Sequence, residues 1–175
     1  MKKNIIIYGI ISGIVVSVLM LFNVNSTNHG EGNFDYNRSL FIGYASMLIA
    51  FSLVYVGIRN YRDKYNAGII SFGKAFKIGI MIVLIASTIY VAAWMIDYFF
   101  FIPDFMEKYS AHMLDKLKTS GASQMEIDKQ TKEMAHFAVM YKNPFFNAMI
   151  TYMEILPVGL IATLISSLIL KRKAR

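Results

Sequence analysis

The sequence predicts an all-α membrane protein: a four-transmembrane-helix bundle with an extracytoplasmic helical hairpin between spans 3 and 4. Three observations predict it. Four stretches, residues 4–30, 39–58, 78–96 and 143–170, contain a single charged residue, Glu154, although 17% of the chain is charged. A helix crossing the ~30 Å hydrocarbon layer needs about 20 apolar residues, and each stretch supplies them. The connections alternate in charge: residues 59–77 and 171–175 each carry a net +4, whereas 25–39 carry −1 and 103–142 balance six acids against six lysines. Strict alternation is what the positive-inside rule demands of four spans with both termini in the cytoplasm. A soluble domain and a disordered chain are excluded, and the absence of cysteine excludes a disulfide scaffold and thiolate metal sites. The net charge of +7 therefore reads as topology, and nucleic acid is not an expected partner.

Span 1 is expected over 5–24. Its basic start and apolar run look like a signal peptide, but Asn23-Val24-Asn25-Ser26-Thr27 has no small-x-small cleavage pattern, so a retained span is predicted. Gly9, Gly13 and Ser17 recur every four residues and form a small-xxx-small face. That face serves packing inside the bundle or homodimerisation. Residues 25–39 read as an exposed outer loop, with His29 as surface decoration. Span 2 is expected over 40–58, with Tyr44 and Tyr55 near its two ends as in interfacial aromatic belts. The connection Arg59–Lys77 is too long for a simple turn. Its Ile69, Phe72 and Phe76 space like a short interfacial helix, with Gly68 and Gly73 permitting a bend.

Span 3 is expected over 78–102, ending before Pro103. Ser87, Tyr90, Trp94 and Asp97 fall on one of its faces. Residues 104–142 follow as the hairpin: Phe105, Tyr109, Met113 and Leu117 make one amphipathic face, and Ile127, Met134, Phe137 and Tyr141 the other. Ser120-Gly121-Ala122 separates them, and Ser123-Gln124-Met125-Glu126 is a capping-box pattern that starts the second helix. Asn143-Pro144 then starts span 4, expected over 145–170, with Asn as cap and Pro in the first turn. Gly159, Thr163 and Ser167 give it a small-residue face, and Pro157 is a candidate kink. The whole chain, 1–175, is expected to form one integral membrane domain.

Glu154 is the most informative residue. An ionised acid at the bilayer centre is unfavourable by about 2.5–3.5 kcal/mol on insertion scales, so it is normally paired, wet or protonated. No basic residue lies at its depth, which predicts a neutral, hydrogen-bonding acid. Asn147, Thr151 and Glu154 form a polar stripe on span 4, and Asp97 lies on the Tyr90/Trp94 face of span 3. By helical rise, Asp97 is expected nearer the outer surface than Glu154, so the two approach only if span 4 protrudes. Such an acid serves either proton or cation transport, or interhelical packing and assembly. His112 and His136 lack metal-ligand spacing. With no clustered histidines, cysteine or nucleophile elbow, no enzyme, metal or cofactor is expected.

The run IGYASMLIAFSLVYVGIRNYRDK with ISFGKAFKIG, the segment PDFMEKY with its SGAS turn, and MYKNPFFNAMITYMEILPVGLIATLISSLILKRK resemble the bacterial membrane family catalogued as domain of unknown function 4199. The resemblance covers Met1 to Lys173. It implies an integral inner-membrane protein of about four spans and transfers no catalytic residue. The expected role is a non-enzymatic assembly or interaction subunit of the cytoplasmic membrane. Its partners would be the lipid bilayer, a second copy or another membrane protein. The alternative is a small proton- or cation-coupled transporter using Glu154.

Overall fold

Long uncharged runs with few helix breakers leave the backbone one way to satisfy its own amides in an apolar solvent, the α-helix. The structure, a computed structural model, describes residues 1–28 and 36–172. They form α1 (Lys2–Asn28), α2 (Tyr36–Tyr65), α3 (Phe72–Phe100), α4 (Phe105–Thr119), α5 (Gln124–Tyr141) and α6 (Pro144–Leu170). Helices α1, α2, α3 and α6 are long and apolar enough to cross a membrane. They pack in a ring in the order α1, α3, α6, α2, and α2 also touches α3 across the diagonal. Large apolar side chains such as Ile14, Phe22, Leu48, Ile49, Met153 and Leu168 stay exposed on the outside of the ring. In water such a surface would be a liability; in lipid it is the expected one.

The core is built from helical repeats. Met47, Phe51, Val54 and Ile58 of α2 face inward and are at most 1% exposed, as are Ile78, Ile82, Val83 and Ala86 of α3 and Ile155 of α6. Glycines set the spacing where helices meet. A Cβ on Gly9 would lie 2.8 Å from Ile85, and one on Gly13 would lie 2.8 Å from Ile89 of α3. In the same way Gly79 of α3 receives Thr163, and Gly159 receives Val83 and Phe51. Ser17 and Ser167 are also buried. The small-residue stripes of α1 and α6 therefore line contacts within the chain.

The two helices flanking the 59–77 connection are longer than the sequence reading, and the separate interfacial helix is absent. α2 runs on through Arg59–Tyr65, and α3 already begins at Phe72. Ser71 is the reason for the early start: its hydroxyl accepts from Lys74 N and caps the helix. The bend lies at Ala67 and Gly68, both at positive φ, while Gly73 is inside α3. Ile69 is outside both helices; Ile70 is drawn into a two-bond bridge with Arg172, N to O distances 3.1 and 2.8 Å. Arg62 Nη1 donates to Leu170 O at 3.4 Å, and Lys74 Nζ sits 5.2 Å over the Tyr61 ring and 3.0 Å from Asn66 Oδ1. These contacts knit the end where α1 begins and α6 ends.

At the opposite end α4 and α5 form the hairpin. Gly121 takes φ +78° in the turn, and the capping box is complete: Ser123 Oγ accepts from Glu126 N, and Ser123 N donates to Glu126 Oε2 at 2.9 Å. Asn143 Oδ1 accepts from Phe145 N and Phe146 N, starting α6 at Pro144. Pro157 is held inside α6 on an exposed face, and the helix continues through it. His29, read as decoration of an outer loop, lies outside the described residues, as do Lys173 and Arg175.

Candidate functional site: a cavity beneath the hairpin

Because Ile70 pairs with Arg172, the start of α3 and the end of α6 are level. At 1.5 Å per residue, Tyr90 lies ~27 Å and Glu154 ~24 Å above that level, whereas Asp97 lies ~38 Å above it. Tyr90 and Glu154 thus share a layer, and both line a cavity of about 240 Å³. α1 contributes Val16, Met20 and Asn23 to its wall, and α2 contributes Ser39, Gly43 and Ser46. Trp94 of α3 and Thr151 of α6 complete the sides, while Phe105, Met106 and Tyr109 of α4 with Phe137 and Tyr141 of α5 form the roof.

The roof is fixed by aromatic packing around one polar bond. Trp94 Nε1 donates to the Tyr141 hydroxyl at 3.1 Å in the protein interior. Phe105 meets Trp94 edge-on at 5.2 Å, and Tyr141 meets Tyr98 edge-on at 5.2 Å. Phe137 contacts Tyr141 and Phe146 at 5.5 and 5.9 Å. Edge-to-face pairs at these distances add to the burial they accompany. Burial pushes the Tyr141 hydroxyl up to about 12, against hydrogen bonds with Trp94 and Thr151 that pull it down, with Glu154's charge adding a smaller push. Tyr141 is therefore a neutral hydroxyl at any physiological pH.

The polar stripe of α6 divides in two. Asn147 and Thr151 are buried at 0% and 3% exposure and serve the hairpin joint: Asn147 Nδ2 donates to Tyr141 O at 3.5 Å, and Thr151 Oγ1 to Asn147 O at 2.8 Å. Asn147 does not line the cavity, and its Oδ1 has no partner among the described residues. Glu154 is different. It is exposed, facing the open cavity rather than the packed interior, and it makes no hydrogen bond or ion pair among the described residues. The expectation that it hydrogen-bonds within the bundle is thus corrected, because the neighbouring faces of α2 and α3 stand back around the cavity.

Asp97 belongs to another place. It is 4% exposed and faces Asn25 of α1, whose Nδ2 lies 3.4 and 3.5 Å from its two oxygens and also donates to Leu21 O at 2.9 Å. It does not line the cavity. Its oxygens also lie too far up α3 for Glu154 to reach. Of the residues singled out in the sequence, Glu154, Thr151, Tyr90 and Trp94 converge; Asp97 and Asn147 do not join them. Reading the sequence by spans missed the contributions of α1 and α2 and the role of the hairpin base. The pairs Phe105/Tyr109 and Phe137/Tyr141, each four apart at the end of a helix nearest the bundle, were the available signal.

No group of three His, Cys, Asp or Glu able to hold a metal occurs among the described residues. The chain offers a lone acid in an aromatic chamber. Fold and cavity together define a class: a polytopic four-helix protein built for a lipid surrounding, with an interior chamber roofed by a helical hairpin. The chain belongs to the family described as "Protein of unknown function (DUF4199)", whose model matches residues 7–172. No curated protein and no solved structure matches it.

Proposed function

We propose that the protein is a multi-pass component of a bacterial cytoplasmic membrane that acts by contact with a membrane protein partner or a second copy, not by catalysis. Both termini lie in the cytoplasm and the hairpin lies outside. Orientation rests on charge: Lys2, Lys3, Arg59, Arg62, Lys64, Lys74, Lys77, Lys171 and Arg172 gather at the end that holds the termini, where the positive-inside rule puts the cytoplasm. The role rests on the hairpin. Only Met106 in α4 and Tyr141 in α5 are buried, both at the base, so beyond the roof residues the arms project from the bundle, and the hairpin carries Met125 and Val139 at 82% and 71% exposure. An ordered, capped projection that contributes little to its own bundle's core is an interaction element.

The chain has no native cysteine, so single cysteines report cleanly. Met125→Cys should react with a membrane-impermeant maleimide added to intact cells, and Tyr65→Cys should not. A cross-linker at position 125 should capture a partner or a second copy. A lone monomer on blue-native gels, with no cross-linked product, would remove the assembly role.

Glu154 in its chamber favours a second reading, cation-coupled transport. Glu154→Gln should then abolish flux in liposomes while leaving the fold intact; unchanged flux would retire it.

A further inference from the structure

We infer that the chamber beneath the hairpin is a binding site for a small organic ammonium cation. Six aromatic side chains line it, Tyr90, Trp94, Phe105, Tyr109, Phe137 and Tyr141, together with one carboxylate, Glu154. No Lys, Arg or His lines it among the described residues, and Glu154 has no partner within the protein there. The carboxyl is thus placed and accessible with no internal counter-ion, and an entering cation favours its ionised form. An apolar chamber holding an unpaired carboxylate is unfavourable until a cation fills it.

The kind of cation follows from the remaining walls. A metal ion such as calcium takes about six to eight oxygen ligands, and the chamber offers one carboxylate with a few hydroxyls. An organic ammonium needs no such shell, because aromatic faces replace its hydration through cation–π attraction. The Trp94 N–H is already committed to Tyr141 and Phe105 packs against the ring, so what the indole offers a ligand is the small part of its ring surface left open to the chamber. Size narrows the class further. About 240 Å³ is below the ~300–1,000 Å³ of drug-sized ligand pockets. It matches the liquid volume of on the order of eight waters. The ligand is therefore an ammonium head bearing short or single-ring substituents, either free or as the head of a lipid. This site is independent of the hairpin's proposed contacts with a partner, and either can fail without the other.

Trp94 is the chain's only tryptophan, so its emission reports on the chamber. The full chain in uncharged maltoside micelles is titrated with benzyltrimethylammonium and with its neutral isostere, neopentylbenzene. The cation should change the emission saturably and bind at least tenfold more tightly than the isostere. Glu154→Gln should weaken the cation at least tenfold and leave the isostere unchanged, while Glu154→Asp retains most of the affinity. Equal binding of cation and isostere, equal affinity in the Gln variant, or no saturable change in the wild type would overturn the site. The cation–isostere comparison in the wild type decides the matter even if the Gln variant fails to fold. Repeating the titration in nanodiscs with and without phosphatidylethanolamine separates the sources: competition by that lipid identifies a headgroup ligand, and its absence a free ammonium.

Discussion

Gly159→Ala tests the packing that holds α6 to its neighbours. The added Cβ would collide with one γ-carbon of Val83 and lie 3.0 Å from the other and 3.1 Å from Phe51 Cζ. Ordinary carbon contacts are about 3.5–4.0 Å, so α6 and α3 must separate by roughly 1 Å. Neither neighbour can yield alone, since Val83 and Phe51 are each 1% exposed. Overpacking of a closed core is unfavourable by about 1–3 kcal/mol, and alanine's better helix propensity returns up to ~1 kcal/mol. With backbone-proximal carbons blocking the site, the net is about 1–2 kcal/mol of destabilisation, roughly 5–30-fold in the unfolding equilibrium. Gly73→Ala is the control: it lies in the exposed first turn of α3 with nothing within 4 Å of the new Cβ, and should be neutral or slightly stabilising. Unfolding in mixed micelles by added dodecyl sulfate, followed by Trp94 emission and helical circular dichroism, measures both. If Gly159→Ala equals or exceeds the wild type, or Gly73→Ala loses as much, the close α3–α6 approach is not what holds this helix pair.

Tyr141→Phe removes the acceptor of the Trp94 indole N–H, leaving a buried donor unpaired; about 1–3 kcal/mol of stability should be lost, with a blue shift of Trp94 emission. An unshifted spectrum with unchanged stability would show that the bond does not anchor the roof. Tyr141 also predicts a pH effect: with its folded value at about 12 and an ordinary tyrosine near 10, its contribution is complete below pH ~10 and is lost as pH rises toward 12. Stability of the wild type should therefore fall over that window more steeply than that of Tyr141→Phe. The hairpin turn responds at the other extreme. The backbone N–H and then the hydroxyl of Ser123 hold the Glu126 carboxyl below the usual carboxylate range. Its contribution is present above that range and lost as pH falls through the lowered value. Amide protection in the first turn of α5, taken against the intrinsic exchange rate at each pH, should fall on acidification in the wild type and be low at all pH values in Ser123→Ala; equal protection in the two would dismiss the cap.

Which parts of the molecule were readable in advance depends on how local their causes are. The four long helices follow from runs of uncharged residues, and the α5 start follows from two side chains three residues apart. Helix ends were harder. Arg59–Lys64 looked like a loop because charge was equated with non-helix, yet these residues extend α2 by nearly two turns beyond the apolar run. Likewise Ile69 and Phe72 suggested one amphipathic helix, but the Ser71 cap falls between them. Within the site, the layer shared by Tyr90, Trp94, Thr151 and Glu154 was legible as faces of two helices. That Glu154 opens onto a chamber was not, since its environment depends on where α1, α2 and the hairpin base stand.

By itself the sequence determined that the chain forms four lipid-compatible helices and a capped hairpin, because hydrophobic length and capping act over a few neighbouring residues. Only the tertiary structure decided that the glycine stripes are spent on α3, that Asp97 meets Asn25 across 72 residues and that Trp94 meets Tyr141 across 47. Those outcomes depend on the crossing of helices far apart in the chain, where sub-ångström fit selects one arrangement among many that share the same hydrophobic pattern.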